Sequence, residues 1–150
     1  NATEGFLYLY CDKGYPQDVY KDIEIAAQIG VSGSGLNNVT VENLTFKYFG
    51  SHAINVTNSK NITVRNCEFG WIGGGTMSDE NSGEVYYGNA VQFWENAENI
   101  NVSRCWIYQV YDTGITFQGS ADGTFKDIRF SENLIEYCHY SIEFFSYNGN

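Results

Sequence analysis

The sequence predicts an all-β solenoid with three strands per coil, and three observations predict it. First, four stretches superimpose: Asn38-Val-Thr-Val-Glu-Asn-Leu-Thr-Phe46, Asn61-Ile-Thr-Val-Arg-Asn-Cys-Glu-Phe69, Asn99-Ile-Asn-Val-Ser-Arg-Cys-Trp-Ile107 and Asp127-Ile-Arg-Phe-Ser-Glu-Asn-Leu-Ile135. Second, each is followed by a matched block: His52-Ala-Ile-Asn-Val56, Asn89-Ala-Val-Gln-Phe93, Thr113-Gly-Ile-Thr-Phe117 and Tyr140-Ser-Ile-Glu-Phe144. Third, apolar and polar residues alternate inside these blocks, the period of a strand with one buried face. Sequence repeats of about 20–50 residues mark stacked units that bury a continuous core between neighbours.

The repeats start at Val39, Ile62, Ile100 and Ile128, at intervals of 23, 38 and 28 residues. The shortest interval is the bare coil, and the longer ones carry insertions. The coils run over residues 38–59, 60–97, 98–125 and 126–147 of a single domain spanning 1–150. The stretch Gly73-Gly-Gly-Thr-Met-Ser-Asp-Glu-Asn-Ser-Gly-Glu-Val-Tyr-Tyr87 is Gly-rich and polar and reads as a loop. The stretch Gly119-Ser-Ala-Asp-Gly123 is a shorter insertion. Alternation turns three columns inward. Val39, Val41, Ile62, Val64, Ile100, Val102, Ile128 and Phe130 form the first. Phe46, Phe69, Ile107 and Ile135 form the second. Ile54, Val91, Ile115 and Ile142, beside Val56, Phe93, Phe117 and Phe144, form the third. An earlier coil is visible at Ile29-Gly-Val-Ser32, which matches Ile54-Asn-Val-Thr57. The segment Glu4 to Ile25 also reads as strand-like.

The 18 acidic and 8 basic residues leave a net charge of −10. A nucleic-acid binder needs a basic footprint, so that class is excluded. A polyanionic glycan fits poorly unless Ca²⁺ bridges the charges, and a neutral glycan fits better. The chain holds no long apolar run, so no membrane span is expected. It opens at Asn1 without a start or signal peptide, and reads as a piece of a longer protein. Cys67 and Cys105 share a column and read as small buried hydrophobes, with a disulfide between them as the alternative. The six N-x-S/T sequons follow from an Asn- and Thr-rich repeat.

Blocks such as Asn61-Ile-Thr-Val-Arg-Asn-Cys-Glu-Phe69 and Asn89-Ala-Val-Gln-Phe93 resemble the repeats of the right-handed parallel β-helix (pectate-lyase-like) superfamily. The runs Trp71-Ile-Gly-Gly74, Tyr87-Gly-Asn-Ala-Val-Gln-Phe-Trp94 and Tyr108-Gln-Val-Tyr-Asp-Thr-Gly-Ile-Thr-Phe-Gln118 are similar to a bacterial carbohydrate-active subgroup of it. The resemblance spans about residues 23–147. It implies a right-handed helix, work on polysaccharides, and an extracellular, periplasmic or cell-surface location. It does not select a reaction, because the superfamily includes hydrolases, lyases, epimerases and phage tailspikes.

Chemistry is expected on the outer side of the third column. Asn55, Gln92, Thr116 and Glu143 form one outward row, and Thr57, Trp94, Gln118 and Phe145 the next. His52, Asn89, Thr113 and Tyr140 stand just ahead of the strand, with Asp112 and His139 one position earlier. Amides and carboxylates bind sugar hydroxyls, and an aromatic face binds the C–H side of the ring. Glycoside hydrolysis uses two carboxyl groups, and Asp112 with Glu143 is the first pair. They converge if Thr113-Gly114 bends sharply, which Gly114 permits. Glu95, Asp79, Glu80 and Glu84 are further candidates. Asn89, Gln92, Trp94, Gln118, His139 and Tyr140 are the expected sugar contacts.

Each residue has a bland alternative. Asp112 is equally suited to capping its turn, Glu143 to a solvated strand face, and Asn89 and Gln92 to a coil-to-coil amide ladder. His52 reads as a surface or cap residue, and Trp106 as packing under an insertion. Tyr86, Tyr87, Tyr108 and Tyr111 extend an aromatic rim. A lyase or epimerase would need a base such as His139 or Tyr140 and a group to neutralise a uronate. The strip holds no Lys or Arg, since Arg65, Arg104 and Arg129 lie on the first strand of their coils. No cofactor is expected, Ca²⁺ entering only with a lyase. Three readings stand: a hydrolase of a neutral polysaccharide, a lyase or epimerase, and a non-catalytic glycan-binding or tailspike-like stalk.

Overall fold

The computed structural model describes residues 9–79, 83–120 and 122–146. A short helix, α1 (Pro16–Val19), precedes the strands. These are β1 (Ile29–Ser34), β2 (Asn37–Glu42), β3 (Thr45–Lys47), β4 (His52–Arg65), β5 (Glu68–Ile72), β6 (Gly75–Asp79), β7 (Gly83–Tyr87), β8 (Val91–Ser103), β9 (Trp106–Gly119), β10 (Phe125–Ser131) and β11 (Leu134–Ser146). All but β6 and β7 pair in parallel with the coil above or below, and the long strands bend from one wall into the next.

Three walls result, as the alternation predicts. Val31, Ile54, Val91, Ile115 and Ile142 are in register on the first. Val39, Ile62, Ile100 and Ile128 are in register on the second. Phe46, Phe69, Ile107 and Ile135 are in register on the third. The core is these columns. Phe93 stacks on Phe117 at 4.8 Å and Phe117 on Phe144 at 5.2 Å. Burying a ring such as Phe93 or Phe117 contributes roughly 1.5–3 kcal/mol. Ile142, Phe144 and Phe145, on the last described strand, are exposed.

Cys67 and Cys105 are buried free thiols that donate to the carbonyls of Arg65 and Ser103, not a disulfide. Burial pushes the Cys105 thiol up to about 11. Among the described residues no helix is long and apolar enough to cross a membrane.

The corners between walls recur at the repeat interval and take left-handed backbone. One column is Asn38, Asn61, Asn99 and Asp127, a second Asn43, Asn66, Arg104 and Glu132, and a third Tyr48, Trp71, Gln109 and Tyr137, all with positive φ. Asn adopts this conformation at lower cost than most residues, and the Asn side chains also pair coil to coil. Asn99 Nδ2 donates to Asn61 Oδ1 at 2.8 Å, and Asn61 Nδ2 to Asn37 Oδ1 at 2.8 Å.

Three expectations about the fold need correction. The described part of Glu4–Ile25 contains α1 and no strand, and Ile23 and Ile25 are exposed. A strand pattern without a neighbouring edge has nothing to pair with. The early coil registers two residues later than expected, Val31 opposite Ile54. A shift of two keeps every side chain on its face, so alternation alone does not distinguish the registers. The inserted stretch 73–87 is not a loop: β6 and β7 form an antiparallel hairpin, with Thr76 opposite Tyr86 and Met77 opposite Val85.

Candidate functional site

The outer side of the first wall carries a cavity of about 350 Å³, in the range of small-ligand sites. Coil residues supply one side and the β6–β7 hairpin the other, through Met77, Val85, Tyr86 and Tyr87. Asp112 and Glu143 both line it, as do Asn89, Gln92, Trp94 and Gln118. His139 and Tyr140 do not line it. They are exposed, with their rings 4.5 Å apart between centroids.

The convergence of Asp112 and Glu143 has two sources. β9 leaves the third wall after Val110, in register with Ile72, and joins the first by Ile115, in register with Val91, so it turns a corner across Tyr111–Gly114. Within that corner Val110 opposes Cys138 and Thr113 opposes Tyr140. Tyr111 and Asp112 therefore face the single residue His139, which is a β-bulge. Bulges redirect side chains and are common beside active sites. Gly114 lies in this corner, and a Cβ there would lie 2.8 Å from Ser141 O and 2.8 Å from Ile135 Cγ2, so glycine lets the next coil approach.

Glu143 extends from β11 over the row below. Its Oε2 accepts Gln118 Nε2 at 2.9 Å and the Thr116 hydroxyl at 3.1 Å. These bonds hold the carboxylate against the wall and remove the freedom of a solvated surface Glu. Asp112 accepts from the Thr113 hydroxyl at 3.4 Å, and its backbone N–H donates to Gly88 O at 3.1 Å. Burial, and then the negative charge of Glu143, push the Asp112 carboxyl above its ordinary value. The Thr113 hydroxyl and His139 act in the opposite direction to a smaller extent.

The floor beneath the carboxylates is an amide chain. Asn89 Nδ2 donates to Gln92 Oε1 at 2.6 Å, and Gln92 Nε2 donates to Asn55 Oδ1 at 3.1 Å. Asn89 Oδ1 accepts the Thr113 N–H at 2.9 Å. Both amides are buried, so the ladder exists and also forms the cavity floor.

His52 is not a surface residue. It is 5% exposed, lines the cavity, and packs edge-on against Tyr87 at 5.2 Å. Its Nδ1 accepts the Asn89 N–H at 3.1 Å, which leaves the ring proton on Nε2. Burial holds its pKa down at about 4, so the ring is neutral at pH 7. A His preceding an inward Ala-Ile pair was the one available signal, since a strand start beneath an insertion is a covered position.

The remaining candidates lie elsewhere. Glu95 sits at a corner, where its Oε2 accepts the Ser120 hydroxyl at 2.8 Å. Glu84 pairs with Ser78 in the hairpin, Asp79 ends β6, and Glu80 lies outside the described residues. Of the rim tyrosines, Tyr86 and Tyr87 line the cavity and Tyr111 contacts Tyr86 at 6.2 Å. Tyr108 belongs to the third wall, where its hydroxyl donates to Glu68 at 2.7 Å. Trp106 packs on Tyr108 at 4.3 Å rather than under an insertion, and its Nε1 donates to Glu136 at 2.9 Å. The cavity lining contains no Lys or Arg. Arg65 is paired with Glu42 and Lys47 with Glu68, away from the cavity.

Comparison with curated proteins returned no match, and comparison with solved structures returned none. A family model described as the right handed beta helix region matches residues 26–150. That span contains every coil, the hairpin and the cavity, and the chain belongs to the right-handed β-helix family.

Proposed function

We propose that this chain is a carbohydrate-active enzyme that hydrolyses glycosidic bonds in a neutral polysaccharide, outside the cell or at its surface. One observation carries the reading: two carboxyl groups from adjacent coils share one cavity with amides and aromatic rings, and one of them is held toward its protonated form. Asp112, protonated, gives its proton to the glycosidic oxygen as the bond to the anomeric carbon breaks. Glu143, oriented by Thr116 and Gln118, serves that carbon as nucleophile or activates the attacking water. Water's hydroxyl ends on the anomeric carbon and its proton restores the acid. Trp94, Tyr86 and Tyr87 offer ring faces to the sugar, and Gln118 offers a hydrogen-bonding amide. The acidic, Lys- and Arg-free lining favours an uncharged substrate.

The test is incubation with plant, algal and host polysaccharides, followed by mass spectrometry. Products carrying one added water, lost in Glu143→Gln and Asp112→Asn variants that still fold, support the reading. Unsaturated products indicate a lyase, and binding without turnover indicates a stalk; either result overturns it, as does full activity in Glu143→Gln.

A further inference from the structure

The third corner column breaks the rule of the other two. Asn or Asp fills six of the eight left-handed positions in the first two columns. In the third, Tyr48, Trp71, Gln109 and Tyr137 stand where Asn or Gly would be less strained. Their rings do not repay that strain by burial: Tyr48 is 56%, Trp71 46% and Tyr137 76% exposed. Tyr48 stacks on Trp71 at 5.3 Å and 15°, beginning an aromatic ladder along the axis. Gln109 interrupts the ladder, and a cavity of about 340 Å³ lies there, between Trp71 and Tyr137. Tyr111 forms another side of this slot. The bulge therefore sends Asp112 to the main cavity and its neighbour Tyr111 to a second one around the corner.

We propose that the Trp71–Gln109–Tyr137 slot is a second glycan-binding site that takes a neutral sugar residue of a polysaccharide. The chemistry is that of a sugar. The exposed Tyr137 ring, and the part of Trp71 not covered by Tyr48 and Tyr108, offer aromatic surface to the C–H side of a sugar, while the Gln109 amide and the tyrosine hydroxyls meet hydroxyl groups. None of the lining residues carries a charge, and Lys47, whose Nζ lies 5.4 Å from the Trp71 ring centroid, is paired with Glu68. The slot is open to solvent at a corner, which suits one unit of a long chain passing across it. The proposal does not depend on the hydrolase reading, because binding is read without turnover.

The test is native gel electrophoresis through gels containing, one at a time, β-glucan, xylan, mannan, galactan, starch and polygalacturonate. The expected result is retardation by at least one neutral polysaccharide. Tyr137→Ala and Trp71→Ala each weaken it about tenfold, the scale of one lost ring contact. Gln92→Ala, which alters the main cavity, leaves the Tyr137 effect in place. Tyr137 is the most exposed of these rings, so its loss does not unfold the chain, and circular dichroism melting verifies this. Retardation unchanged in Tyr137→Ala, or absent with all five neutral polysaccharides, overturns the proposal. So does fluorescence of a Trp94→Phe/Trp106→Phe variant, which leaves Trp71 as its one tryptophan, that responds to a peptide mixture and to no sugar. Loss of hydrolysis with retardation intact would count against the catalytic reading alone.

Discussion

Asn89 Oδ1 accepts the backbone N–H of Thr113, one coil away, at 2.9 Å. A buried side chain on the cavity floor thus holds the residue that follows Asp112. The same Asn89 donates from Nδ2 to Gln92 Oε1 and from its backbone N–H to His52 Nδ1. The cavity floor and β9 are therefore one hydrogen-bonded unit.

Asn89→Ala should cost about 2–4 kcal/mol of stability, because it leaves the Thr113 N–H and Gln92 Oε1 buried without partners. Chemical denaturation measures this. Activity should fall further than stability explains, since Thr113 adjoins Asp112. Equal activity at a temperature where both proteins are folded would show that the floor does not position the acid.

The raised Asp112 carboxyl gives a pH dependence with a definite sign. In the proposed hydrolysis Asp112 acts with its proton on, so kcat/KM should fall as pH rises through a midpoint above the ordinary value of this carboxyl. The folded chain holds this proton more tightly than the unfolded one, so the group's contribution to stability is full at low pH and is lost as pH rises. Asp112→Asn should therefore be no less stable than the parent at pH 7. In a ¹³C NMR titration, Glu143→Gln should lower the Asp112 midpoint by removing the second-ranked cause of its shift.

His52 has the opposite sign. Its folded pKa of about 4 lies below the unfolded value of about 6.5, so the unfolded chain binds the extra proton first. Stability should fall as pH drops from about 6.5 toward 4. Thermal melts across that window should show a smaller slope for His52→Asn, whose Oδ1 can still accept the Asn89 N–H. An NMR titration placing His52 near 6.5 would refute its burial.

Gly88→Ala should remove both the hairpin and the activity. Gly88 has φ +145, and a Cβ there would lie 2.2 Å from Gly73 Cα and 2.5 Å from Ser51 O. Backbone atoms cannot yield as a flexible side chain does, so a loss of about 2–4 kcal/mol is expected. Gly88 O also accepts the Asp112 N–H, so the damage reaches the bulge. Limited proteolysis should cut the variant within the hairpin first.

Much of the architecture was legible because a stacked coil repeats its demands. Ile54, Val91 and Ile115 each meet the same column, so each must be apolar, and alternation exposes them. The corner columns were not read from the sequence: the Asn-rich blocks showed as repeats and not as left-handed turns, and Tyr, Trp and Gln are not residues that announce one. The hairpin was missed because Gly and polar residues dominate its composition, while its pairing of Met77 with Val85 is a property of two segments together.

For the cavity, the residue pattern alone determined the wall and the outward rows that line it, Glu143 among them, because parity sets which way a strand side chain points. Whether Asp112 and Glu143 meet was decided only in three dimensions. The extra residue at Tyr111–Asp112 exists only relative to His139 on the neighbouring strand. The burial of His52 likewise depends on the hairpin that arrives from elsewhere in the chain. Periodicity reports the environment of a residue within its own strand, and a bulge, a covered histidine or a slot at a corner is a relation between strands.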